Sequence, residues 1–242
     1  MADSKERARG LARDLAGSLG GRLNSVLLFG SVARGEAIEG VSDVNVMVVL
    51  DHVDAATLRL ASPHARRWAK GGNTAPLIFG AEEVSRAADA FAIEFSDMID
   101  AHEVLHGGDP LSGFTMDSSA MRLQAEREIR GKVVQLRQGL LLSASDATQT
   151  GRLLARALPS FATYHRAILR LRGETVPSGM ADVITAAAKA IGAEPDPFLR
   201  VLASRSAKKP LALRIDDPIV EGYYSLADKT AAYVDTFTEN SA

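Results

Sequence analysis

Near residue 115 the sequence changes from one pattern to another, and no single layer architecture accommodates both. Up to that point, short runs of β-branched and aromatic residues alternate with helical stretches. The runs at 25–29, 44–50, 76–79 and 91–95 predict strands, and 5–19 and 54–70 predict helices among them. Some of these strands are separated by less than the dozen or more residues a helical crossover takes, so a mixed sheet is expected. Beyond 115 the strand signals nearly vanish. Residues 117–142 and 147–172 predict long helices, with Ile129, Val133, Leu136 and Leu140 at helical spacing, and 180–191, 197–204 and 219–238 predict three more. Leu111-Ser112-Gly113 reads as the linker. The expectation is an α/β (α+β) mixed-sheet domain at 1–115, followed by an all-α domain at 116–242.

Composition narrows the chemistry. Among the 242 residues there is no cysteine, which excludes a disulfide framework, Cys-ligated zinc and a Cys nucleophile. With 28 basic and 30 acidic residues the net charge is −2, so the whole chain exerts no pull toward nucleic acid or a membrane. The start of the chain carries Lys5, Arg7, Arg9, Arg13 and Asp14 without an apolar stretch and does not read as a signal peptide. The apolar runs at 26–29 and 46–50 fall far short of the ~20 residues that cross a bilayer. A cytoplasmic protein is expected. One local excess stands out: between Arg122 and Arg172 lie ten basic residues and three acidic ones, a net of +7. This is either a set of solvated helix faces or a basic wall facing phosphate.

The most informative stretch is 25–50, SVLLFGSVARGEAIEGVSDVNVMVVL. A strand ends at Phe29, and Gly30-Ser31 turns the chain into a short helix. Glycine there permits positive φ or close backbone approach, and free N–H groups beyond it can hold phosphate oxygens. The spacing Gly30…Gly35 resembles half of a Walker A loop, but Glu36 and Ala37 stand where Lys and Ser or Thr are required, so that reading fails. Asp43-Val44-Asn45 then opens an apolar strand. Residues two apart share a face, so Asp43 and Asn45 are expected to project together while Val44 and Val46 pack inward. Two oxygen-bearing side chains beside such a turn suit a hard cation that in turn holds phosphates.

A Gly-Ser turn after a strand, eleven residues (32–42), and Asp-x-(Asp/Glu) opening the next strand resemble the signature of the polymerase-β-type nucleotidyltransferases. Within them the segment is most similar to small bacterial aminoglycoside and minimal nucleotidyltransferases. The resemblance spans about the first 110 residues. It implies a mixed-sheet core followed by a helical domain, and transfer of a nucleoside monophosphate from an NTP such as ATP to an acceptor hydroxyl, with release of pyrophosphate. The implied partners are the NTP and a small-molecule or protein acceptor, with a homodimer also admitted; the implied cofactor is Mg²⁺ or Mn²⁺. Carried over by position, Gly30 and Ser31 contact the triphosphate and Asp43 is the first metal ligand. Asn45 stands where the second carboxylate belongs. An amide brings a neutral carbonyl oxygen where a carboxylate brings charge, so the resemblance also admits a catalytically degenerate nucleotide-binding or regulatory, antitoxin-like protein.

The third carboxylate is expected on the strand at 91–97, FAIEFSD. Glu94 is the better candidate because it faces away from Ile93 and Phe95. Asp97 reads as its rival or as the N-cap of a following helix. Arg34 reads as a phosphate contact or as a local ion pair. A different chemistry is written in His102-Glu103-Val104-Leu105-His106, an HExxH pattern that on a helix places two His on one face of a zinc site, with Glu126 at a suitable distance for a third ligand. Gly107, Gly108 and Pro110 end any helix at once, so an ordinary helical or surface His pair is expected instead. Trp68, His165 and the tyrosines 223, 224 and 233 read as packing residues.

Overall fold

The computed structural model describes residues 2–37, 42–205, 207 and 211–237. Residues 38–41, in the loop before Asp43, and Thr238, the last residue of the final predicted helix, lie outside the described residues. The chain divides into two compact units, Met1–Met116 and Asp117–Ala242.

The first unit runs α1 (Ala2–Leu19), β1 (Leu23–Phe29), α2 (Ser31–Arg34), β2 (Asn45–Leu50), α3 (Ala55–Lys70), β3 (Leu77–Gly80), α4 (Ala81–Ala87), α5 (Ala92–Asp100) and β4 (His102–Gly107). The sheet order is β3-β2-β1-β4. β1 is antiparallel to both β2 and β4, and β2 is parallel to β3, so the sheet is mixed as expected. Both faces are covered. Val26, Leu28, Val46, Val48 and Leu50 pack with Leu11 and Leu15 of α1 and Ala61 and Trp68 of α3. Leu27, Met47 and Val49 pack on the other face with Val84, Phe95, Met98 and Leu111. A strand buried on both sides has no polar face to show, and this is why β1 and β2 read as continuous apolar runs.

Three sequence expectations change here. The strand expected at 91–97 is instead helix α5. Over five residues Phe91, Ile93 and Phe95 alternate like a strand. Over nine, Ala92, Ile93, Phe95, Ser96 and Met98 are buried together, which follows the helical period. Conversely, the HExxH segment is not helical but is β4, an edge strand paired to β1 from Ser25↔Gly107 to Phe29↔His102. The expected linker at 111–113 belongs to the first unit: Leu111 is buried, and Phe114 and Met116 pack beside it.

The second unit is helical: α6 (Ser118–Ser143), α7 (Ala147–Leu171), α8 (Met180–Ile191), α9 (Asp196–Ser204) and α10 (Pro218–Thr236). Asp117, Asp146 and Asp217 cap three of these helices through their carboxylates. Its core holds Phe161, Phe198 and Tyr223, with Phe198 and Tyr223 rings 4.2 Å apart. Much of the local basic excess is met within the unit. Arg130 pairs with Asp235, Arg137 with Asp228, Arg122 with Glu126 and Arg172 with Glu174. No helix among the described residues is long and apolar enough to cross a membrane.

His165 is fully buried, stacked on Phe198 and within 3.2 Å of the Thr230 hydroxyl. Burial, aided by neighbouring Arg166, pushes its pKa down to about 3. The unfolded chain, with an ordinary His, takes up a proton near pH 6.5 that the folded chain refuses until about pH 3. Stability from this group is therefore complete above pH 6.5 and falls as the solution is acidified through that window, by roughly 2 kcal/mol at pH 5. Melting scans of wild type against His165→Gln between pH 7 and 5 should show a slope in the former that is reduced in the latter.

Candidate functional site

β1 delivers the chain to a turn that only glycine can make. Gly30 has φ 77° and ψ −154°, a region that residues with a Cβ rarely occupy. A Cβ there would also lie 2.8 Å from the Asn45 side-chain nitrogen. The chain then enters the single turn of α2, where the Arg34 N–H donates to the Gly30 carbonyl and the Glu36 N–H to the Ser31 carbonyl. Gly35, at φ 78°, ends that turn. Ser31 is half-buried at its start.

Asp43 and Asn45 sit where β2 begins, alongside this turn. Val44 and Val46 are buried in the α1/α3 core, as the alternation predicts. Asn45 is half-buried and directly opposite Phe29 in the antiparallel ladder. Asp43 is exposed, and its carboxylate accepts a hydrogen bond from the Thr74 hydroxyl at 3.4 Å. Thr74 is itself fixed: its carbonyl accepts the Trp68 indole N–H at 2.9 Å, and Asn73 donates to the Trp68 carbonyl. Trp68 thus packs, as expected, and also anchors the loop that touches Asp43. Thr74 lies in the stretch GGNTAP, which carries no sequence signal for that contact.

The acidic residues of α5 are not on a strand. Glu94 is half-buried in the first helical turn. Asp97 is buried mid-helix, not at a helix N-terminus, and faces Arg34, whose Nη1 lies 3.7 Å from its carboxylate. Arg34 Nε lies 3.5 Å from Glu36, and all three side chains are largely withdrawn from solvent. Of the two readings of Arg34, the local ion pair is present. No acidic residue lies on β3, which flanks β2.

The strand geometry of the HExxH segment separates its chemistry from that of a helical zinc site. Glu103 is gripped by Lys5 at 2.9 Å and Arg9 at 2.7 Å, both from α1, and these bonds hold its carboxyl below the usual range. The His102 Nδ1 lies 2.7 Å from the Met98 carbonyl oxygen, and Nε2 lies 3.2 Å from the Asp109 carboxylate. Glu126 forms its ion pair with Arg122 inside α6.

No group of three His, Asp or Glu among the described residues is arranged to hold a metal; of the candidate ligands, Glu94 lies on α5, and Asp43 and Asn45 form a pair where β2 begins. This pair can serve a hard ion whose remaining ligands are phosphate oxygens and water, as Mg²⁺ takes when it binds with a nucleotide.

Comparison with known proteins agrees with the family resemblance of the first unit. The family model described as a nucleotidyltransferase domain matches residues 12–105. Among solved structures, spectinomycin adenyltransferase from Enterococcus faecialis, determined with ATP and spectinomycin, shares the fold. Its TM-score is 0.60 at 11% identity, covering 93% of this chain and 98% of that one. No curated protein matches the sequence.

Proposed function

We propose, from the match of residues 12–105 to the nucleotidyltransferase domain model, that this protein transfers the nucleoside monophosphate of an NTP, ATP foremost, to a hydroxyl of a small molecule. The observation that carries the reading is the Gly30 turn, whose backbone conformation excludes any side chain and lies directly beside Asn45. Backbone N–H groups of such a turn, with the Ser31 hydroxyl, suit phosphate oxygens. The acceptor oxygen bonds to the α-phosphorus, the bond to the bridging oxygen of the β-phosphate breaks, and pyrophosphate leaves with that electron pair. The hydroxyl proton is assigned to Glu94, which is half-buried where Asp97 is buried. Asp43 and Asn45 would hold Mg²⁺ or Mn²⁺, which when bound neutralises phosphate charge. Arg34, held by Asp97 and Glu36, stiffens the turn from behind and adds positive charge beneath the phosphates.

A second reading is favoured by Asn45 and by the lack of any acidic residue on β3: the protein binds the nucleotide and transfers nothing, acting as a regulatory binder. Labelled ATP with Mg²⁺ or Mn²⁺ and a panel of hydroxyl compounds separates the two. Pyrophosphate release dependent on an acceptor supports transfer, while saturable ATP binding without release supports the binder. Calorimetry checks the turn itself. Ser31→Ala should weaken ATP binding by about 1.5 kcal/mol or more, the worth of one hydrogen bond to a charged group. Unchanged affinity would remove Ser31 from the site.

A further inference from the structure

The end of the sheet that carries Asn45 is apolar on one face. Directly opposed residues share a face, and so do residues two apart on a strand. Phe29 opposes Asn45, Met47 opposes Leu77, and Phe79 follows Leu77 by two, so all five lie on the same face. Phe29, Met47 and Phe79 belong to the core packed against α4 and α5. Leu77, however, is 40% exposed and Phe91 is 47% exposed. The Phe91 ring stands edge-on to Phe79 at 6.3 Å. Because β3 runs parallel to β2, Leu77, its first residue, lies at the same end as Asn45. Strand spacing and rise put the two about 8 Å apart. Single exposed apolar residues need no explanation, but an open aliphatic and aromatic pair continuous with the core and beside a phosphate turn is a small-molecule surface.

Charge points the same way. None of the described residues of β1, β2 or β3 is acidic. The nearby carboxylates of Asp43 and Asp97 face Thr74 and Arg34. A polyamine acceptor is recognised by rows of carboxylates that meet its ammonium groups, and this face offers no row: beside Phe91 it has Glu94, to which the hydroxyl proton is assigned.

We propose that the acceptor is a hydrophobic alcohol or phenol, whose ring or alkyl body lies on Leu77 and Phe91 while its hydroxyl reaches toward Asn45. The proposal rests on the transfer reading and names its substrate class. The test uses the full chain with Mg²⁺ and α,β-methylene ATP, an analogue that cannot transfer. The protein is titrated with 2-naphthylethanol and, separately, with spectinomycin, and binding is followed by saturation-transfer NMR. Wild type should bind the naphthyl alcohol saturably and spectinomycin not at all. Leu77→Ser and Phe91→Ser should each weaken the alcohol about tenfold, with the ATP analogue bound within twofold of wild type, and Phe91→Trp should restore the alcohol. Naphthyl binding that is absent, or equal in wild type and both serine variants, overturns the proposal, as does saturable spectinomycin binding. Failure of wild type to bind the ATP analogue overturns the nucleotide reading beneath it, whatever the alcohol does.

Discussion

Gly107→Ala should strongly destabilise the first unit. Gly107 ends β4 at φ 75°, opposite Ser25, and a Cβ there would lie 1.8 Å from the Asn24 carbonyl oxygen. That oxygen belongs to the backbone of β1, so no rotamer change relieves the overlap. Alanine meets two penalties at once: about 1–2 kcal/mol for a side chain in the left-handed region, and about 1–3 kcal/mol for the overlap if the ladder can shift. Relief requires β4 to move off β1, which opens the central strand and frees Glu103 from Lys5 and Arg9. The expected loss is about 2–5 kcal/mol, a large share of the stability of a small domain. Chemical denaturation followed by Trp68, the one tryptophan and a residue of the first unit, reads it directly. A midpoint within experimental error of wild type would mean that the β1–β4 register differs from the one described.

The second large effect is expected from Asn45→Asp. The side chains are nearly the same size, so packing opposite Phe29 should hardly change. What changes is the charge at the β2 edge, from one carboxylate to two. Without metal, repulsion between Asp43 and the new Asp should lower stability modestly, by about 0.5–1 kcal/mol at a solvated edge. With Mg²⁺ the variant should recover that and more by mass action, since a ligand that binds only the folded state stabilises it in proportion to the logarithm of its concentration over Kd. The measurement is the shift of melting temperature with Mg²⁺, in both proteins, with and without ATP. At least a tenfold tighter apparent Mg²⁺ affinity is expected in the variant, worth about 1.4 kcal/mol. If wild type is a slow transferase, pyrophosphate release should rise with it. Identical Mg²⁺ responses would show that position 45 does not address a cation.

The Gly30 turn and the β2 edge were legible because their determinants are local: a glycine at positive φ, and valines alternating with polar residues at the strand's start. The helices of the second unit were legible for the same reason, through long periodic runs with Asp at their N-termini. α5 was misread because five residues of Phe-x-Ile-x-Phe cannot be told from a strand, and only the buried set out to Met98 fixes the helical period. β4 was missed because an edge strand with Glu and two His has little apolar alternation to display, and its HExxH spelling suggests a helix. No sequence pattern revealed the Asp97–Arg34 pair or the Thr74–Asp43 contact, since each joins residues far apart in the chain whose meeting is decided by the sheet. The apolar face at Leu77 and Phe91 was equally hidden, because exposure is a property of the packed unit and not of the residues.

The central position of β1 has a consequence for how the protein is made. β1 emerges from the ribosome early, yet one of its two neighbours is β4, and α1 is tied to that strand by the Lys5–Glu103 bond between residues 98 positions apart. Such non-local pairing is slow to form and cannot begin until its later half exists. At ~5–20 residues per second, β1 waits about 4 to 16 s for β4, with one row of backbone donors and acceptors and its apolar side chains unmatched. Nascent chains halted between β3 and β4 should therefore be the species that chaperones hold, and those extended past Gly108 the species they release.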